Sequence, residues 1–116
     1  MSVSTPAVGT PFNVFQGLRA GGKGNPVSFG SILATFTCSI KLTSAAPTAV
    51  VVKVFGAIHE EWESPTEIIE YTMTAPEIAA MTGSFVIRNI PLLYLSGSVV
   101  TLDGPGAVTL DCLGVA

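Results

Sequence analysis

The most constraining feature of this sequence is a run of nine residues in which apolar and polar side chains alternate without a break. In Thr35–Thr43 the residues between threonine, serine and lysine are Phe36, Cys38, Ile40 and Leu42. A period of two places these apolar side chains on one face of a β-strand, whereas a helix would scatter them around its axis. The run therefore predicts a strand with one buried face and one face directed to solvent.

The chain after this run is divided into further segments with strand character. Residues 49–58 are rich in valine and apolar on both faces, which is typical of a strand that is central in its sheet or covered by a partner. Short strands at regular spacing, separated by turn residues, indicate a sandwich or barrel. We predict an all-β fold, an antiparallel β-sandwich of the jelly-roll or immunoglobulin-like type. The further predicted strands are residues 67–74, 84–90, 93–102 and 107–115.

Two connections between these strands have their own signals. Asp103, Gly104, Pro105 and Gly106 predict a tight loop that joins the last two strands as a hairpin. Residues 75–81 predict a single helical turn, since proline at position 76 suits the start of a helix.

The first 26 residues lack a comparable strand pattern and are rich in glycine and proline. We predict an extended N-terminal arm over residues 1–26 and one β-sandwich domain over residues 27–116, with residues 21–26 as the flexible end of the arm. A short strand over residues 10–15 is compatible with the pattern. Because ordering a backbone costs about 1–2 kcal/mol per residue, we expect the arm to become ordered only against a neighbouring molecule.

The low content of charged residues bears on how this domain is used. Charged residues make up 11% of the chain and hydrophobic residues 48%, against about 25% charged residues in ordinary soluble domains. No stretch approaches the roughly 20 apolar residues of a membrane-spanning helix, and the N-terminus lacks the pattern of a signal peptide, so we expect neither membrane association nor export. A subunit that buries part of its surface in an assembly fits best.

The charged residues themselves argue against several functions. Six of the eight acidic residues lie between positions 60 and 77, and the five basic residues are scattered, so no basic stripe is available for nucleic acid. His59, Glu60, Glu61 and Glu63 form the one cluster of ligand-type side chains, but a single histidine is a poor basis for a zinc site. We interpret the cluster as a solvated acidic loop, with a loop that faces a basic patch on a partner as the alternative, and we predict no metal, no cofactor and no enzymatic activity.

Cys38 and Cys112 both fall on apolar faces of predicted strands. They could form a disulfide if their strands are neighbours in the sandwich. Two buried thiols are the favoured interpretation for a protein assembled in a reducing cytoplasm.

Taken in order, several segments resemble small virion proteins of tailed bacteriophages. The resemblance covers residues 30–116 and depends on the order and spacing of its elements. Relatives often carry Ser-x-Asp-Gly before the tryptophan, whereas this chain has Ala-Ile-His-Glu-Glu at residues 57–61. The matching segments are Pro-Thr-Ala-Val-Val-Val at residues 47–52, Phe-Gly at 55–56 with Trp62 after it, Ile-Pro-Leu-Leu-Tyr-Leu at 90–95, and Asp-Gly-Pro-Gly-Ala-Val-Thr-Leu at 103–110.

This resemblance implies a non-enzymatic decoration or cement protein that binds the outer capsid surface and reinforces the shell. The expected partners are the major capsid protein and sister copies, most simply as a homotrimer, in a virion assembled in the host cytoplasm. The alternatives are a carbohydrate- or receptor-binding module of a tail or head fibre, or a structural component of the tail or neck. The residues predicted to contact partners are Phe12, Val14, Phe15, Leu18, Val51, Phe55 and Trp62.

Overall fold

The computed structural model describes residues 11–58 and 65–115. These residues form eight strands and one short helix, and the predicted all-β sandwich is confirmed. The helix α1 spans Ala75–Ala80, as the sequence predicts, and lies between the fifth and sixth strands. The strands are β1 Phe12–Leu18, β2 Val27–Leu33, β3 Thr35–Thr43, β4 Ala49–Ala57, β5 Thr66–Thr72, β6 Thr82–Ile87, β7 Leu92–Asp103 and β8 Ala107–Val115.

The strands form two antiparallel sheets of four strands each. Sheet A has the order β1-β8-β3-β6, and sheet B has the order β2-β7-β4-β5. The first strand pairs with the last, the second with the seventh, the third with the sixth and the fourth with the fifth. This nested pairing is that of one long hairpin rolled into two facing sheets, which is the jelly-roll arrangement. Of the two sandwich types that the sequence predicts, the structure has the jelly roll.

The alternation in β3 has the predicted consequence. Phe36, Cys38 and Ile40 are fully buried and face the space between the sheets, and the threonine, serine and lysine residues between them lie on the outer face. The neighbouring strand β8 repeats the pattern in register, because Leu110 lies opposite Ile40 and Val108 opposite Leu42. The core is therefore built by two central strands of sheet A that face the valines of sheet B.

The apolar character of both faces of β4 is explained by its position. The strand lies between β7 and β5, so both of its edges are paired. Val50, Val52 and Val54 are fully buried, whereas Val51 and Phe55 on the outer face are half-buried. The central-strand alternative is confirmed.

Strand β1 corrects the predicted N-terminal arm, since Phe12–Leu18 is an edge strand of sheet A rather than part of an arm outside the sandwich. The pairing with β8 shifts between Asn13 and Phe15, which places the adjacent side chains of Val14 and Phe15 on the same buried side. A bulge of this kind breaks the period of two, and so the strand was only partly visible in the sequence. Residues 1–10 lie outside the described residues.

Residues 21–24 are also ordered within the chain, against the prediction of a flexible end. The amide of Gly21 donates to the carbonyl of Val99 at 2.9 Å, and the amide of Gly24 donates to the carbonyl of Gly97 at 2.8 Å. A Cβ atom on Gly24 would lie 2.6 Å from the carbonyl oxygen of Val14. Glycine at this position allows two backbones to pack closely. A glycine-rich composition alone predicts a flexible loop instead.

The connection over residues 103–106 is likewise different from its prediction. It does not close a hairpin, because β7 belongs to sheet B and β8 to sheet A. Turn residues indicate that the chain reverses direction, but they do not specify whether the next strand pairs with its predecessor or crosses to the facing sheet. The guanidinium of Arg19 holds this crossing in place by donating to the carbonyls of Gly104 and Gly106.

Candidate partner-binding surfaces

The seven residues predicted to contact partners lie in three different environments. Phe12, Val14 and Phe15 belong to the chain's own core, with exposures of 9%, 3% and 3%, which corrects their assignment to a docking arm. Their burial follows from the pairing of β1 with β8. Leu18 packs against the same core at the end of β1. Trp62 lies outside the described residues.

Val51 and Phe55 lie together on the outer face of sheet B. In the register of the sheet, Val51 is opposite Thr72 and Thr101, and Phe55 is opposite Glu67 and Ser96. Both side chains are half-buried within the chain itself. They therefore offer partial apolar surface on a face that also carries charge, and their role in partner binding stays a prediction.

The charge on this face is organised around Lys53, between Val51 and Phe55. Its ammonium lies 2.8 Å from a carboxylate oxygen of Glu67 and 3.6 Å from one of Glu70. The hydrogen bond to Glu67 is the main cause that raises the pKa of Lys53 above its ordinary value. All three side chains are partly exposed, so the attraction is weakened by solvent and salt.

A small cavity opens on the same face beside Phe55, with a volume of about 190 Å³. The Ser96 hydroxyl, which lines it, donates to the carbonyl of Gly24 at 3.1 Å and is thereby committed to holding the 21–24 segment. The volume is below the roughly 300–1,000 Å³ of typical small-molecule sites. The lining residues are Lys23, Gly24, Phe55, Pro65, Ser96, Gly97 and Ser98.

The outer face of sheet A has a different character. The four strands of this sheet contain two charged residues, Lys41 and Asp111. Val86, Thr37 and Leu113 form a row across three adjacent strands, since Thr37 lies opposite both of the others. Val86 is 41% exposed, and Val115 in the next row is 40% exposed. We call Thr37, Val86, Leu113 and Val115 the sheet A patch.

Glu77 and Tyr71 form a polar contact whose role is structural. The Tyr71 hydroxyl donates to the Glu77 carboxylate at 2.8 Å, and the same carboxylate accepts from the backbone amide of Thr74 at 2.9 Å in the capping box of α1. The Thr74 amide is the main cause that lowers the pKa of Glu77. Burial, aided by Glu77, raises the pKa of Tyr71. The contact fastens the helix to β5, and both groups are fully engaged in it.

The described residues contain no group of three or more histidine, cysteine, aspartate or glutamate side chains placed to hold a metal ion. The acidic cluster at His59, Glu60, Glu61 and Glu63 lies outside them. No helix in the described part of the chain has the length and apolar character needed to cross a membrane.

Cys38 and Cys112 lie directly opposite each other on β3 and β8. Both are buried, and their Sγ atoms lie 2.8 Å apart. The condition set by the sequence, that their strands be neighbours, is met, and the structure holds both residues as free thiols.

Comparison of the chain with protein-family models, with curated proteins and with solved structures finds no match. The resemblance to phage virion proteins therefore depends on the residue pattern alone.

The sheet A patch was absent from the sequence-based predictions, although a signal for it exists. Val86 and Leu113 occupy strand positions whose immediate neighbours Phe85, Ile87 and Cys112 form the buried face. Apolar residues at outward positions of a strand are such a signal. The row that they form across three strands requires knowledge of strand order, which the sequence does not supply.

Proposed function

We propose that this chain is a non-enzymatic structural subunit of a tailed-bacteriophage virion that binds the outer capsid surface and reinforces the shell. The observation that carries the proposal is the low charge of sheet A, whose four strands contain only two charged residues, Lys41 and Asp111, together with the sheet A patch. Depletion of charged residues is the compositional mark of the buried centre of protein interfaces. A face of this kind loses little hydration energy when another protein covers it, since few charges must be desolvated.

The size of the face supports binding that involves more than one contact. Four strands about 4.8 Å apart and about 20–30 Å long present roughly 500 Å². A standard interface buries about 800 Å² on each partner. One sheet face is therefore too small for a stable attachment on its own, and we infer that sister copies contribute a second contact, most simply in a trimer around a rotation axis.

The resemblance over residues 30–116 implies that the partner is the major capsid protein. The jelly roll is compatible with this role, but it also serves lectins and cupins, so the fold by itself does not select a function.

The test is binding of the purified chain to shells assembled from the major capsid protein of the phage that encodes it. Val86→Glu places a charge in the sheet A patch, and Val100→Glu is the matched control, because Val100 is 44% exposed on the other sheet. We expect Val86→Glu to weaken co-sedimentation with shells at least tenfold and Val100→Glu to leave it unchanged. Both variants should keep the melting temperature of the parent chain.

Equal loss of binding in the two variants would refute the assignment to sheet A, and absence of binding by the parent chain would refute the function itself. Removal of residues 1–10 tests the remaining part of the predicted arm without removing β1. A monomer in analytical ultracentrifugation at high concentration would refute the trimer.

The second candidate is a carbohydrate- or receptor-binding module of a tail or head fibre. The cavity beside Phe55 favours it, because an aromatic ring, two serines and a lysine are groups that contact sugars. This candidate predicts binding on a glycan array that is lost in Phe55→Ala and retained in Val86→Glu. Its weakness is the volume of the cavity.

A further inference from the structure

The centre of sheet A contains a pair of cysteines whose chemistry the proposed function does not use. Cys38 and Cys112 are 74 positions apart in the chain and directly opposite in the sheet. Their sulfur atoms contact each other with no side chain between them. Two apolar side chains of similar size would fill the same space, so packing alone does not require a pair of thiols here.

The register of the two strands satisfies the geometric requirement for a bond. Residues directly opposite in an antiparallel pair have Cα atoms about 4.5 or 5.5 Å apart, depending on their place in the hydrogen-bond ladder. Both separations lie within the roughly 4.4–6.8 Å range that disulfides span. A bond between the two sulfurs would therefore leave the strands where they are.

We propose that Cys38 and Cys112 are a redox-controlled pair. They remain two thiols when the chain folds under reducing conditions, and they form a disulfide cross-link when it folds with a low-molecular-weight disulfide such as oxidised glutathione. One cysteine thiolate attacks oxidised glutathione and releases one glutathione thiol, and the second cysteine then displaces the other glutathione. Two protein thiols are oxidised, one oxidised glutathione is reduced to two thiols, and the two protons end on these products.

The folded sheet controls when this reaction takes place. Cys38 and Cys112 have exposures of 0% and 2%, so a glutathione molecule cannot reach either sulfur while the sheet is closed. The hydrogen bond with Cys38, together with burial, raises the pKa of Cys112, which keeps its thiol protonated and unreactive. The bond is therefore formed during folding or during opening of the sheet, and it is equally protected from reductants afterwards.

The cross-link would act on the fold through the long loop that it closes. It joins an early strand to the last strand and so restricts the unfolded chain over most of its length, which is the condition in which disulfides stabilise strongly. It also lies one residue from Thr37 and Leu113 of the sheet A patch, so it would hold together β3 and β8, two of the three strands of that patch.

The experiment uses the full chain, refolded from denaturant either with a reductant or with a mixture of oxidised and reduced glutathione. Free thiols are then counted by alkylation with N-ethylmaleimide under denaturing conditions and mass spectrometry. After oxidative refolding we expect no alkylation, a mass lower by two hydrogens than that of the reduced chain, and a melting temperature higher by about 10 °C. Oxidised glutathione added to the folded, reduced chain should react at least tenfold more slowly.

Cys38→Ala and Cys112→Ala are the control variants, each compared with itself under the two conditions because each also creates a cavity. Neither should show the rise in melting temperature. If a variant does not fold, addition of a reductant to the unfolded, oxidised parent chain before refolding should reverse the rise. Two alkylated thiols after oxidative refolding, or a bond that forms without raising the melting temperature, would overturn the proposal.

Discussion

The two sheets of this jelly roll share a core but differ on their outer faces. The outer face of sheet B carries Lys53 with Glu67 and Glu70, and the β2 edge of this sheet is continued by residues 21–24, which hydrogen-bond to β7. The four strands of sheet A contain two charged residues, Lys41 and Asp111.

This difference shows that, of the two sheets, sheet A carries fewer charged residues. On sheet B, half-buried apolar residues such as Val51 and Phe55 are accounted for by neighbours within the chain and by the central position of β4. Large apolar side chains are exposed on both sheets, Val86 and Val115 on sheet A and Ile32 and Val100 on sheet B, so lower charge rather than apolar exposure distinguishes sheet A. A low content of charged residues therefore indicates a surface covered by a partner only where contacts within the chain do not already bury the apolar side chains.

The largest expected effect tests whether sheet A has four strands. Phe15 of β1 is 3% exposed, and Phe15→Ala should lower the free energy of unfolding by about 3–5 kcal/mol through loss of buried area and a remaining cavity. Gln16→Ala, at the exposed neighbouring position, should stay within about 0.5 kcal/mol of the parent. Urea unfolding measures both. A parent-like Phe15→Ala would return β1 to the role of a free arm and leave sheet A with three strands.

An intermediate effect tests the contact between helix α1 and β5. Glu77→Gln should lower the free energy of unfolding by about 1–2 kcal/mol at pH 7, because the carboxylate is a charged acceptor for the Thr74 amide and the Tyr71 hydroxyl. Tyr71→Phe removes the hydroxyl that donates to Glu77 but keeps the ring, which stacks on Phe85 with ring centroids 4.8 Å apart. If the two changes were fully additive in the double variant, the contact would contribute nothing.

The effect of Glu77 depends on pH in a defined direction. Its pKa is lowered in the folded chain, so its contribution is present above the unfolded value of about 4.3 and is lost as the pH falls through the folded value. The difference in urea midpoint between the parent chain and Glu77→Gln should therefore shrink below about pH 4. A difference that is constant from pH 7 to pH 3 would contradict the assigned charge state.

The smallest expected effect concerns the charges that distinguish sheet B. Lys53→Met removes exposed ion pairs, which contribute little to stability and are screened by salt. We expect a urea midpoint indistinguishable from that of the parent at physiological salt. Lys41→Met on sheet A is the control. A marked loss that disappears in high salt would show that the charged network stabilises sheet B more than its exposure implies.

How far the sequence predicts the fold depends on whether the signal is local. The strand β3 and the helix α1 were predicted closely, since a period of two and a proline at a helix start are properties of neighbouring residues. The β1 strand was missed in large part because a bulge at Val14 and Phe15 breaks the period. The crossing at residues 103–106 was interpreted as a hairpin because one turn composition serves both kinds of connection.

The candidate surface follows the same rule. Val51 and Phe55 were predicted as contact residues from their faces on β4, whereas the sheet A patch was not predicted. Its members come from β3, β6 and β8, lie up to 78 positions apart in the chain, and become neighbours only through strand pairing.

The sequence by itself determined that this chain forms strands, which face of each regular strand is apolar, and that few charges are available for its surface. These properties follow from side-chain chemistry and from the two-residue period of the extended backbone. Only the tertiary structure decided which strands are neighbours, and hence the jelly-roll order, the burial of β1, the contact of Cys38 with Cys112 and the sheet A patch. The physical reason is that strand pairing joins distant segments through backbone hydrogen bonds, which are the same for nearly every residue type.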